Sequence, residues 1–221
     1  MTRDRAGVLL LGAFALASSA DLLSLLADWD PGHLLAKPLL MPLLAGYAAT
    51  RRAPRLLVAA LLFGWGGDVA LLFDADPAFL VGMGSFALGH VCYLLLFGKT
   101  RGSAFVAAGY LAACAVMVAS LWPDLPAELR VPVAGYSLLL TAMALRSAAL
   151  GLATGVGGAL FLLSDTLIAT GVAEWPQLPA PEFWIMFTYL GAQSLLTWGV
   201  LEGPRGRVDA AAAYRGQAIE V

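Results

Sequence analysis

Residues 103–122 read SAFVAAGYLAACAVMVASLW, twenty residues without one charge. At 1.5 Å per residue a helix of this length rises roughly 30 Å, the thickness of a bilayer's hydrocarbon core. A run this long and apolar is read as a spanning helix. The question then is whether the rest of the chain repeats it.

It does. Mainly apolar runs recur near 7–27, 33–50, 55–73, 78–97, 103–122, 129–149, 153–173 and 182–201, separated by short polar or Pro-containing breaks. The expected fold is therefore all-α, a polytopic transmembrane helix bundle of about eight spans over residues 1–202, with a mobile cytoplasmic tail at 203–221. Composition agrees: 60% of the 221 residues are hydrophobic and 13% charged, about half the charge of a soluble domain. With a net charge of −2, nothing suggests a nucleic-acid partner. Cys92 and Cys114 lie inside apolar runs without CxxC spacing and read as small buried hydrophobes. Arg3 and Arg5 before an apolar run ending at Ser18-Ser19-Ala20 resemble a signal peptide, but the apolar character continues through Leu26. An uncleaved first helix is the expectation.

Lys and Arg set the orientation. With eight spans, Arg3, Arg5, Arg51, Arg52, Arg55, Lys99, Arg101, Arg146, Arg205, Arg207 and Arg215 fall on one side, and Arg130 alone on the other. By the positive-inside rule both termini are cytoplasmic. Trp29, Trp122, Trp175 and Trp184 fall near helix ends on the opposite side, where they would anchor at the interface.

A faint repeat joins the halves. Phe63–Leu72 (FGWGGDVALL) and Phe161–Thr170 (FLLSDTLIAT) each carry an aspartate in the third helix of their half. His90 and Gln193 follow in the fourth. This suggests a four-plus-four parallel repeat.

Ionisable residues are costly in hydrocarbon and mark wet interiors and function. Asp21, Lys37, Asp68, His90 and Asp165 lie within the spans, with Gln193 as a polar sixth. The three aspartates sit roughly 18–21 Å from the cytoplasmic ends of their helices; Lys37 is roughly 6 Å, and His90 and Gln193 roughly 17 Å, below the outer ends. Together they would make one polar pocket open toward the outer leaflet. Each also has a structural alternative. Asp21 could pair with Lys37, Lys37 could snorkel to the interface, His90 could be satisfied across helices, and Gln193 could be interhelical glue. Asp68 and Asp165 resist such readings: both are central, among small residues, with no basic neighbour in sequence. Pro38 and Pro42 should kink the second helix and free a backbone carbonyl for the pocket. Two histidines, His33 being placed in a loop, leave no more than an Asp-and-His metal site open.

The chain resembles the lysoplasmalogenase family, the YhhN-like integral membrane proteins. The resemblance is carried by Lys37-Pro38-Leu39, Gly67-Asp68, Phe79…Gly82…Phe86, His90…Tyr93, Gly158-Ala159-Leu160-Phe161…Ser164-Asp165 and Tyr189…Gln193. The ordered set covers about residues 35–200. It implies eight spans, no cofactor, and hydrolysis of the vinyl ether bond of lysoplasmalogens, giving a fatty aldehyde and a glycerophospho-ethanolamine or -choline. It also implies that Asp68 and Asp165 are the catalytic acids. Lys37, His90, Tyr93, Tyr189, Gln193 and Asp21 would then face the lysophospholipid substrate.

The chemistry suits two carboxyls. Protonation of a vinyl ether's outer carbon leaves an oxocarbenium ion, water adds, and the hemiacetal collapses to aldehyde and alcohol. A protonated carboxyl and a neighbouring carboxylate divide such labour around a similar cation in glycosidases. Two rivals stand beside this. An intramembrane aspartyl protease carries GxGD, whereas residues 65–68 are Trp-Gly-Gly-Asp. A small proton-coupled transporter or lipid flippase would also use mid-membrane acids.

Overall fold

A computed structural model describes residues 3–73, 75–99 and 103–203. They form eight helices: α1 (Arg3–Leu26), α2 (Asp30–Thr50), α3 (Arg55–Ala70), α4 (Asp76–Phe97), α5 (Ala104–Leu121), α6 (Ala127–Ala148), α7 (Leu152–Val172) and α8 (Pro181–Glu202). Each apolar run becomes one helix, and the breaks fall where proline and glycine put them. Proline occupies the first turn of α2, α4 and α8, where its missing N–H costs nothing. Gly98, at φ 65°, ends α4. Residues from 204 on, including the expected tail and Arg205, Arg207 and Arg215, lie outside the described residues, as does Arg101.

Five of these helices, α1, α4, α5, α6 and α7, are long and apolar enough to cross a membrane. The chain is an integral membrane protein. The other three fall short for visible reasons. At 16 residues, α3 rises only about 24 Å. Asp30, His33 and Lys37 lower the hydropathy of α2, and Glu182, Tyr189 and Gln193 that of α8.

Seven helices close into a ring. Helix α1 packs on α2, α2 on α3 and α3 on α4; α4 then packs on α6, α6 on α7, α7 on α8, and α8 back on α1. On the outside of this ring, α5 packs on α6 and buries little beyond Cys114 and Leu121. The proposed tandem repeat is not shown by this arrangement, since α1 closes on α8 whereas α4 reaches past α5 to α6.

Contacts at the helix ends collect the positive charges. The Cβ position of Gly7 lies 3.0 Å from Thr50 Oγ1, so the start of α1 meets the end of α2. The Arg146 guanidinium donates to the Gly98 carbonyl, joining the ends of α6 and α4. Antiparallel pairing of α3 and α4 sets Gly89 against Ala60 and Ser85 against Phe63. Arg3, Arg5, Arg51, Arg52, Arg55, Lys99 and Arg146 thereby share one end of the bundle. Arg130, at the other end, donates to the carbonyls of Leu125 and Pro123.

Lipid tails are as apolar as leucine, so close packing and hydrogen bonds hold membrane helices together rather than the hydrophobic effect. Large apolar side chains such as Leu9, Leu39, Leu95 and Phe105 point outward. The interior is filled by Leu40, Met41, Leu57, Leu61, Tyr93, Phe161, Tyr189 and Leu196. Gly67 lets α3 approach α4, because a Cβ there would meet the Phe86 ring at 2.4 Å.

The prolines of α2 behave differently from the expectation. Pro42 has no N–H, so the carbonyl of Pro38, four residues back, loses its helical donor. That carbonyl is taken by the Trp65 indole of α3 at 2.9 Å. It braces α2 against α3 instead of serving a pocket.

Candidate active site

Two hydrogen-bonded clusters occupy the middle of the ring, and each ends on an aspartate. Asp68, on α3, is buried. Tyr189 of α8 donates to its Oδ2 at 2.9 Å. Gln193, one turn along α8, donates to the Tyr189 oxygen at 3.3 Å and accepts from Tyr93 of α4 at 2.6 Å. The donors all run one way, from Tyr93 through Gln193 and Tyr189 to Asp68. The chain fits because Gly64 has no side chain. A Cβ there would lie 2.9 Å from the Tyr189 hydroxyl and 3.0 Å from Gln193 Nε2.

Asp165, on α7, accepts a hydrogen bond from the Tyr136 hydroxyl of α6. His90 Nε2 of α4 lies 2.9 Å from the Tyr136 oxygen and 3.9 Å from Asp165 Oδ2. A hydroxyl has one proton. With that proton given to Asp165, Tyr136 accepts from His90 Nε2–H, and the tautomer is set. His90 Nδ1 is then a buried atom without a partner among the described residues.

Aromatic rings join the clusters. Phe161 packs edge-on against His90, with centroids 4.7 Å apart, and against Tyr189 at 5.5 Å. Phe86 contacts both Phe161 and Tyr189. Among the described residues no hydrogen bond joins Asp68 to Asp165, but the two carboxylates lie within electrostatic reach of one another, as do Lys37 and Asp21 of Asp68. Each acid faces the last helix of the opposite half: Asp68 faces α8, and Asp165 faces α4.

Two cavities open beside these clusters. One, of about 70 Å³, is mainly apolar, walled by residues such as Met83, Phe86, Leu140 and Leu162, with Tyr136, Ser137, Asp165 and Thr166 as its polar members. The other, of about 430 Å³, has Lys37, His33, Gln177 and Glu182 in its wall. Leu71, Phe79, Ile168 and Val172 line both, so the two adjoin. Asp68 is in the wall of neither.

The remaining sequence candidates settle as follows. Asp21 is fully buried but does not pair with Lys37. Its Oδ1 bonds His33 Nδ1 at 2.8 Å, and its Oδ2 has no partner among the described residues. His33 is not in a loop. Helix α2 starts at Asp30, which brings the imidazole one turn in from the end and over α1. Lys37 is 8% exposed, with no hydrogen bond or ion pair among the described residues. His90 and Gln193 are bonded across helices, and His90 Nδ1 lacks a partner among the described residues. Among the described residues no three His, Cys, Asp or Glu side chains gather as a metal cluster. Sequence reasoning missed Tyr136. Its signal was available: a hydroxyl in mid-span needs a partner, a test the sequence reading applies to the ionisable residues and Gln193 but not to tyrosine.

A family model matches residues 32–200, the stretch that holds every one of these clusters except Asp21. The chain belongs to the YhhN family. Among its relatives, lysoplasmalogenase TMEM86B of Homo sapiens is 34% identical over 70% of this chain and 67% of its own length. The Sus scrofa TMEM86B is 37% identical over 67% of this chain and 65% of its own length. A Mycobacterium bovis protein, also named lysoplasmalogenase, is 32% identical over 82% and 76%. The chain thus spans about two thirds of the length of these mammalian relatives. No solved structure matches it.

Proposed function

We propose that this YhhN-family chain hydrolyses the vinyl ether bond of lysoplasmalogens in the membrane, releasing a fatty aldehyde and a glycerophospho-ethanolamine or -choline. The observation that carries the reading is Asp165 in the wall of an apolar cavity that adjoins the cavity of Lys37. A lysolipid has the same layout: an apolar chain, the reactive bond next to it, and a phosphate one glycerol away. The names of the relatives agree with it.

In this reading the vinyl ether end of the alkenyl chain enters the apolar cavity and the phosphate turns toward Lys37. Asp165, protonated on the oxygen that Tyr136 does not engage, gives that proton to the outer vinyl carbon. The double-bond electrons form the new C–H bond, and the cation is shared between carbon and oxygen. Asp165, now a carboxylate, stabilises this oxocarbenium ion and takes a proton as water adds. The hemiacetal then collapses, its hydroxyl proton passing to the departing glycerol oxygen. Tyr136 and His90 hold Asp165 in place. Asp68, tied by Tyr189, Gln193 and Tyr93, lies behind the aromatic rings and leaves the bond itself to Asp165. General acid catalysis of this kind contributes about 10²–10⁴-fold.

All eight helices cross the bilayer in this reading, the shorter α3 inside the ring. The spanning domain is 1–202, followed by a tail at 203–221. Both termini face the cytoplasm of a bacterial plasma membrane, by the charge asymmetry of the helix ends.

The test is incubation of purified, detergent-solubilised protein with a lysoplasmalogen and detection of aldehyde. Release without any ion gradient supports a hydrolase over a transporter. No release by the folded wild-type protein removes the reading.

A further inference from the structure

The mechanism above uses Lys37 but leaves its cavity otherwise unexplained. Three features there are unusual for a membrane interior. Lys37 as a residue is 8% exposed, and its ammonium has no hydrogen bond or ion pair among the described residues. His33 lies in the same wall, one turn earlier on α2, with Nδ1 committed to the buried Asp21 carboxylate. Nε2 is thus the ring's free polar atom. Glu182, in the first turn of α8, lines the same cavity. Among the described residues no hydrogen bond or ion pair joins it to either cation-bearing side chain, so its charge is available to a ligand.

Asp68 lies within electrostatic reach of Lys37 without making a contact ion pair with it, so a ligand that brings an anion into contact with Lys37 relieves the cost of placing that charge in a membrane interior. A single anion would satisfy Lys37 but would leave Glu182 facing like charge. A ligand with a negative centre and a positive end satisfies both. The volume, about 430 Å³, is that of a small-molecule site.

We propose that Lys37 and His33 on α2 and Glu182 on α8 form a clamp for a zwitterionic phosphodiester headgroup: the phosphate lies on Lys37 and His33, the ammonium on Glu182. Asp21 is a positioning residue that holds the His33 ring. The clamp rests on the lysolipid reading for the identity of its occupant. It adds the headgroup preference and assigns it to residues that the bond-breaking chemistry does not touch. Because it reads the headgroup alone, the clamp binds lysolipids whose chain carries no vinyl ether.

That property supplies the test. Two saturated 1-O-alkyl lysophospholipids with the same chain, one bearing ethanolamine and one bearing glycerol, are measured for equilibrium binding to the purified full chain in detergent. The ethanolamine lipid is expected to bind about fivefold tighter, the effect of one partly exposed charge pair. Glu182→Gln, at an exposed position, should bring the ratio to one, and Lys37→Gln should weaken both lipids about tenfold. Asp21→Asn should raise KM for the vinyl ether counterpart while kcat holds; a merely structural loss would lower apparent kcat together with the melting temperature and leave KM unchanged. Equal binding of the two lipids by the wild type overturns the clamp, as does a ratio that survives Glu182→Gln. The outcomes separate from those of the hydrolase reading. Headgroup-selective binding with no aldehyde from the vinyl ether lipid removes the hydrolase and keeps the clamp. Aldehyde release without headgroup preference does the reverse.

Discussion

The Tyr136 hydroxyl of α6 donates to the Asp165 carboxylate of α7 while its oxygen lies 2.9 Å from His90 Nε2 of α4. One tyrosine therefore ties three helices of the ring to the acid that lines the apolar cavity. Tyr136→Phe removes the link and leaves the ring in place. A hydrogen bond to a charged group is worth about 1.5–3 kcal/mol, so kcat for aldehyde release should fall roughly 10–100-fold. KM should move little. An unchanged kcat would remove Tyr136 from the mechanism.

The second cluster makes a stability statement. Tyr189→Phe leaves the buried Asp68 without its hydrogen-bond donor, at a cost of about 1.5–3 kcal/mol. Gln193→Leu interrupts the same chain one link earlier, so the two losses should not add. Thermal unfolding in detergent of both single variants and the double variant checks this. Full additivity would mean that the two residues act independently.

Gly67→Ala should lower the melting temperature, because the new methyl group meets the Phe86 ring at 2.4 Å. Phe86→Leu in the same chain removes the ring and should recover part of the loss. No recovery would place the strain elsewhere.

Trp65→Phe leaves the Pro38 carbonyl without a donor and should cost about 1 kcal/mol. Pro42→Ala restores a backbone N–H four residues after Pro38, and in its presence Trp65→Phe should be nearly neutral. An equal cost with and without Pro42 would contradict the assigned role of the indole.

Much of the architecture was legible because hydrocarbon imposes a length. Runs of about 20 apolar residues had to be helices, and proline and glycine marked their ends, as at Pro77, Gly98 and Pro181. The start of α2 was misjudged because Pro31 suggested a break, whereas proline in a first turn suits a helix. That error hid the Asp21–His33 pair. Asp68 and Asp165 were legible as costly charges. What the sequence could not show is their inequality. Asp68 is sealed by a chain of neutral polar residues from α4 and α8, while Asp165 meets a cavity. That difference is set by which helices are neighbours in the ring, and the periodicity of single helices carries no trace of it. The position of α5 outside the ring was hidden for the same reason.

The most direct measurement is the rate of aldehyde release from a lysoplasmalogen by purified Asp165→Asn protein whose thermal unfolding matches the wild type. Loss of at least about 10²-fold in kcat is expected from removal of the proton donor. A folded Asp165→Asn protein that turns over at the wild-type rate would contradict the assignment of Asp165 as the acid.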